Sequence, residues 1–112
     1  MKLKEIIEII GAKVLIGEDK LDTEVFSAYG CDLMSDVLAF VDNHSMLLTG
    51  LVNPQTVRTA EMMDMKAIVF VRGKEPGEEV LQLAADAGIV VLATENSMYV
   101  SCGRLYEAGL KW

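Results

Sequence analysis

Two short runs in this chain, Ala67-Ile68-Val69-Phe70-Val71 and Ile89-Val90-Val91-Leu92-Ala93, are apolar at every position. A strand with one face in water alternates apolar and polar residues; a strand covered on both faces does not. Runs of this length, rich in β-branched residues and bounded by glycine or charge, predict strands buried on both sides, the signature of a sheet sandwiched between helices. The segments around them fit. Leu3, Ile6, Ile7 and Ile10 recur at helical spacing, so residues 2–10 predict an amphipathic helix, with Gly11 placed as its C-cap. Lys13-Val14-Leu15-Ile16 predicts a strand closed by Gly17-Glu18-Asp19-Lys20, and Val25 to Gly30 a second one built on small residues.

Leu33, Met34, Val37, Leu38 and Val41 again have helical spacing, with Asp32 in the N-cap position. Asp42-Asn43-His44 predicts a turn and Met46-Leu47-Leu48-Thr49 a strand. Asn53-Pro54 then opens a helix that carries Val57, Ala60 and Met63 inward. Glu78 and Glu79 favour the start of another helix through its dipole, and Val80, Leu81, Ala84 and Ala87 form its apolar stripe. Asn96 or Ser97 caps a last helix ending near Gly109. Strands alternating with helices predict an α/β fold: a single small three-layer domain over residues 1–112, with a mostly parallel sheet of about five strands. Right-handed crossovers are expected to put helices on both faces.

Composition narrows the function. The chain has 112 residues, 52% of them apolar, enough for a real core. Its net charge is −7, from 17 acidic and 10 basic side chains, which disfavours nucleic acid and anionic membrane surfaces as partners. No apolar run is long enough to span a membrane, and acids interrupt the apolar start, unlike a signal peptide. Cys31 and Cys102 form no disulfide framework, so reduced thiols and a cytoplasmic location are expected.

Chemistry in such a fold belongs to the loops beyond the carboxyl ends of the strands. Three qualify: Thr49-Gly50-Leu51-Val52-Asn53-Pro54, Arg72-Gly73-Lys74-Glu75 and Thr94-Glu95-Asn96-Ser97. Each leads into a helix, whose free amides can hold an anion. Thr49, Gly50, Asn53, Arg72, Gly73, Lys74 and Thr94 are therefore the candidate anion-binding residues. Several of them have a plainer role as caps or solvated charges. Catalytic motifs are missing. The stretch from Gly11 to Gly17 lacks the spacing, lysine and hydroxyl of a phosphate loop, and there is no Gly-x-Gly-x-x-Gly. One His and two distant Cys supply no zinc pattern, and His44 beside Ser45 points the wrong way for a dyad. No catalytic residue, metal or cofactor is expected. Cys31 lies between a strand and a helix, where a thiol can be activated, but small buried filler is the simpler role for both cysteines. Met62, Met63 and Met65 crowd one helix end and cannot all face one core, so some are expected at a subunit interface.

A longer pattern joins these pieces: Gly11-Ala12-Lys13-Val14, then Ala28-Tyr29-Gly30-Cys31-Asp32-Leu33-Met34-Ser35-Asp36-Val37-Leu38, Met46-Leu47-Leu48-Thr49-Gly50, Ala67-Ile68-Val69-Phe70 and Ile89-Val90-Val91-Leu92-Ala93-Thr94. Over residues 11–109 it resembles a DRTGG domain, which is similar to the N-terminal domain of HPr kinase/phosphorylase and also occurs between paired CBS domains in regulated pyrophosphatases and in some phosphotransacetylases. The resemblance implies a regulatory module that pairs with itself. It does not imply kinase activity, because the HPr enzyme's chemistry lies in a separate domain with a phosphate loop. The name-giving residues are mostly replaced. Leu51-Val52-Asn53-Pro54 stands where the family often has Gly-Asp-Arg, and Val71-Arg72-Gly73 where it often has Thr-Gly-Gly. Thr49, Gly50, Gly73 and Thr94 still fit a loop-lined site.

Three functions fit these residues. One is a homodimeric regulatory or assembly module binding a partner protein or a small anionic ligand. The second is a small enzyme on a phosphorylated or carboxylated metabolite, with Thr49, Arg72 and Lys74 holding the anion and Cys31 or Asp32 supplying chemistry. The third is a scaffold for a multi-subunit enzyme.

Overall fold

The computed structural model describes residues 1–41 and 44–112. Asp42 and Asn43, two of the three residues of the expected turn, lie outside the described residues. Among those described, the chain forms α1 (Leu3–Ile10), β1 (Lys13–Ile16), a 3-10 turn (Glu18–Lys20), β2 (Ser27–Gly30), α2 (Met34–Phe40), β3 (Ser45–Thr49), α3 (Pro54–Met62), β4 (Ala67–Phe70), α4 (Glu78–Ala87), β5 (Val90–Ala93) and α5 (Met98–Glu107). The sheet order is β1-β5-β4-β3-β2. Strands β2 to β5 are parallel, and β1 runs antiparallel on β5, with an irregularity between Val14 and Ile16.

The three central strands are buried at every position, β4 and β5 as their unbroken apolar runs require and β3 with Ser45 and Thr49 at its two ends. Side chains alternate between two cores. Met46, Leu48, Val69 and Leu92 join Leu3, Ile6, Ile10 and Leu105 under α1 and α5. Leu47, Ile68, Phe70 and Val91 join Val37, Val57, Ala60, Val80 and Ala84 under α2, α3 and α4. Helices cover both faces, but not for the reason the sequence suggested. Each crossover steps one strand in the same direction, so the three crossover helices share one face, and the other is covered by the helices at the two ends of the described chain. The parallel part therefore has no reversal of strand order at which a crevice would open.

Local signals set most boundaries. Gly11 and Gly88 end α1 and α4 in the left-handed conformation. Asn53 caps α3 by accepting from the Thr56 amide at 3.3 Å, with Pro54 in the first turn. At α5 the cap is Ser97, which accepts from the Val100 amide at 3.2 Å. Asn96 instead donates its side-chain amide to the Ile10 carbonyl at 2.9 Å, and the Thr94 hydroxyl donates to the same oxygen at 2.7 Å. The open end of α1 is thus tied to the loop after β5.

Two expectations change, and the methionine cluster divides between surface and core. Asp32 does not cap α2: the N-cap is Leu33, with no side-chain bond, because the Asp32 carboxylate has better partners elsewhere. The second strand starts at Ser27, since the Val25 amide is spent on the Met1 carbonyl. Of the three clustered methionines only Met62 is exposed; Met65 is buried and Met63 half-buried at the end of α3.

Candidate functional site

Parallel register builds the site. Gly30 pairs with Leu48, so two residues further along Asp32 comes level with Gly50. There the Asp32 carboxylate accepts from the Gly50 amide at 2.7 Å and from the Thr49 hydroxyl at 2.8 Å. Thr49 is fully buried, and its oxygen in turn accepts from the Leu51 amide at 3.1 Å. These donors, first the Gly50 amide and then the Thr49 hydroxyl, hold the Asp32 carboxyl below the ordinary carboxylate range, against partial desolvation and with help from the charges of Arg72 and Lys74. Asp32 is consequently a fixed anion near neutral pH, neither a proton donor nor a poised base.

Register also places Arg72. Phe70 pairs with Ala93, which brings the next turn against the loop after β5. The Arg72 amide donates to the Asn96 carbonyl at 2.8 Å and the Gly73 amide to the Thr94 carbonyl at 2.9 Å. Arg72 and Gly73 both take left-handed backbone, with φ of 60° and 69°. A non-glycine residue in that region is uncommon, and here it turns the guanidinium back over Gly50. A side chain built at Gly50 would lie 3.7 Å from an Arg72 terminal nitrogen and 3.7 Å from both Asp32 oxygens. Gly50 is thus the floor of a small space with a cation and an anion as its walls.

The space belongs to a cleft of about 300 Å³ lined by Asp32, Gly50, Val71, Arg72, Ser97, Met98 and Tyr99. That volume sits at the lower end for small-ligand pockets. The first turn of α5 faces it, so Met98 and Tyr99 bring amides that helix geometry leaves without intrahelical acceptors. The Tyr99 ring is 89% exposed at the rim.

The candidate residues thus separate. Thr49, Gly50 and Arg72 come together around Asp32. Gly73 and Thr94 line a second cavity of about 130 Å³ with Gly11, Ala12, Lys13, Glu75, Ala93 and Glu95. There Lys13 pairs with Glu75, and Glu95 packs so close to Gly73 that an added Cβ would stand 2.5 Å from its oxygen. Asn53 is occupied as a cap and lines neither cavity, and Lys74 is exposed beyond the cleft. Of the lining residues, Ser97 belongs to the third loop named from the sequence, whereas Met98 and Tyr99 lie outside all three. The signal was present in the helix start at Ser97, but only register shows which strand end it faces.

The cysteines do not form a reactive pair. Cys31 accepts from the Leu33 amide at 3.3 Å, and burial pushes the Cys102 thiol up. Among the described residues, no group of three or more His, Cys, Asp or Glu is placed to hold a metal ion. His44 is exposed, with positive φ, its ring edge-on to Phe26.

Known proteins supply the context. The model of the DRTGG domain matches residues 5–108. The chain belongs to the DRTGG domain family. Its fold is similar to the CBS and DRTGG domains of the regulatory region of Clostridium perfringens pyrophosphatase, a structure complexed with the activator diadenosine tetraphosphate. The TM-score is 0.77 at 14% identity, over 93% of this chain and 45% of that one. This DRTGG domain therefore spans less than half of that regulatory region. No curated protein matches it. No helix among the described residues is long and apolar enough to cross a membrane.

Proposed function

We propose that this DRTGG domain is a homodimeric regulatory module of the cytoplasm that binds a small anionic ligand in the Asp32–Arg72 cleft and catalyses nothing itself. The observation that carries the reading is the convergence of Arg72 and Asp32 over Gly50. Arg72, with Lys74 behind it and the first amides of α5 opposite, offers charge-assisted hydrogen bonds to a phosphate or carboxylate. Asp32, held ionised, accepts from a hydroxyl or amino group on the same ligand. A ligand with both features gains from both walls, whereas a bare anion meets the repulsion of Asp32. The nucleotide activator bound to the pyrophosphatase regulatory region has phosphates and hydroxyls of this kind, which supports the reading. The enzyme alternative loses ground because Asp32, its candidate for the chemistry, is held ionised by the Gly50 amide and the Thr49 hydroxyl, and Thr49, its candidate anion donor, already gives its proton to that carboxylate.

Calorimetric titration of the full chain with diadenosine tetraphosphate tests the proposal. Wild-type protein is expected to bind. Arg72→Ala is expected to weaken binding by about tenfold to a hundredfold, the worth of a charge-assisted contact, and Lys74→Ala by a few-fold. Equal affinities for all three proteins, or none for the wild type, would reject the cleft as the site for this ligand.

A further inference from the structure

We infer that a second copy of this chain docks on the outer edge of the sheet, against Phe26, Phe40 and Trp112. The inference rests on the homodimeric reading above and names the surface. Strand β2 is the outer strand at the parallel end of the sheet. Phe26 stands just before it with 61% of its surface exposed, Phe40 closes α2 at 70% and Trp112 lies alongside at 85%. Phe40 and Trp112 line a shallow cavity of about 120 Å³ with Ser27, Ala28 and Tyr29 of β2, and Phe26 directly precedes that strand, so the three rings follow one edge of the sheet.

Three features select the occupant. The patch leaves roughly 400 Å² of aromatic surface uncovered, taking about 200 Å² for each aromatic side chain, and this is about half of the ~800 Å² that each partner contributes to a standard interface. A twofold axis through the patch sets it against itself and closes the contact, as isologous dimers require. The described side chains lining the cavity carry no charge. That suits self-association of a chain with net charge −7, whose copies repel elsewhere. An extended foreign peptide is a poorer fit, because the outward amide of Ala28 already donates to the Trp112 carbonyl at 2.6 Å and the chain blunts its own edge. The clustered methionines offer less surface, since Met65 is buried and only Met62 of the three is exposed, at 74%.

Light scattering on the eluting full chain at tens of micromolar decides the matter, with circular dichroism to confirm folding. The wild type is expected as a dimer, and the double substitution Phe26→Asp, Phe40→Asp as a folded monomer, with a dissociation constant raised at least about thirtyfold. Met62→Asp is expected to stay dimeric. If the double variant misfolds, Trp112→Ala replaces it, because that side chain supports neither core, and about tenfold weakening is expected. A dimer unaffected by these substitutions overturns this surface and leaves the homodimeric reading standing. A monomeric wild type overturns both.

Discussion

Replacing Phe70 by alanine is expected to destabilise the fold by about 3–5 kcal/mol, the usual cost of emptying a buried aromatic site. Phe70 is fully buried, ends β4 and packs in the core beneath α2, α3 and α4. It also stands two residues before Arg72. The cavity would therefore undermine the turn that aims the guanidinium, linking stability to the site. Against the 5–15 kcal/mol of an ordinary domain the loss is severe, and the urea midpoint should fall by more than about 1 M. A midpoint within a few tenths of the wild-type value would mean that Phe70 does not fill this core.

The second large effect concerns Asp32. Its removal leaves the Gly50 amide and the buried Thr49 hydroxyl without their acceptor. Such groups lose about 1–3 kcal/mol each when stranded. Asp32 itself is exposed, so water replaces part of the loss, and Asp32→Ala is expected to cost about 1–2 kcal/mol at pH 7. The cost should depend on pH in a defined direction. The folded-state pKa of Asp32 is depressed. Its contribution is therefore complete above the unfolded value, about 3.9, and is lost as the pH falls through the lower folded value. Urea unfolding of wild type and Asp32→Ala at pH 7 and in steps below pH 4 should show the gap closing toward acid. A gap that is constant, or that widens on acidification, would contradict the hydrogen-bond geometry described for the carboxylate.

Much of this fold is legible in the residues because the decisive forces are local or repetitive. The unbroken apolar runs of β4 and β5 could only be two-faced strands, and Asn53-Pro54 and Gly88 marked helix ends through their own side chains and backbone freedom. Strand β2 was the least legible, because Ser27, Ala28 and Gly30 are small, half-buried or exposed, and owe their place to an edge rather than to a core. The position of β1, antiparallel on the far side of β5, has no sequence signal at all. The candidate site was half legible for the same reason. Thr49, Gly50 and Arg72 follow strands and could be proposed from position alone. Asp32 looked like a helix cap, since aspartate before an apolar helical pattern usually is one. Its true partners lie 17 and 18 residues away and meet it only through the β2–β3 register. Thr94 looked like a ligand donor and Asn96 like a helix cap, but both brace the end of α1, a long-range contact that no local pattern announces.

The proposed ligand site lies between Arg72, Asp32 and the start of α5. Amide chemical shifts of the labelled full chain, followed during titration with diadenosine tetraphosphate, test it most directly. Saturable shifts are expected at Gly50, Arg72, Ser97 and Tyr99, with Gly11, Ala12 and Lys13 of the second cavity unmoved. Shifts centred on Gly11 to Lys13, or a spectrum unchanged at saturating ligand, would contradict it.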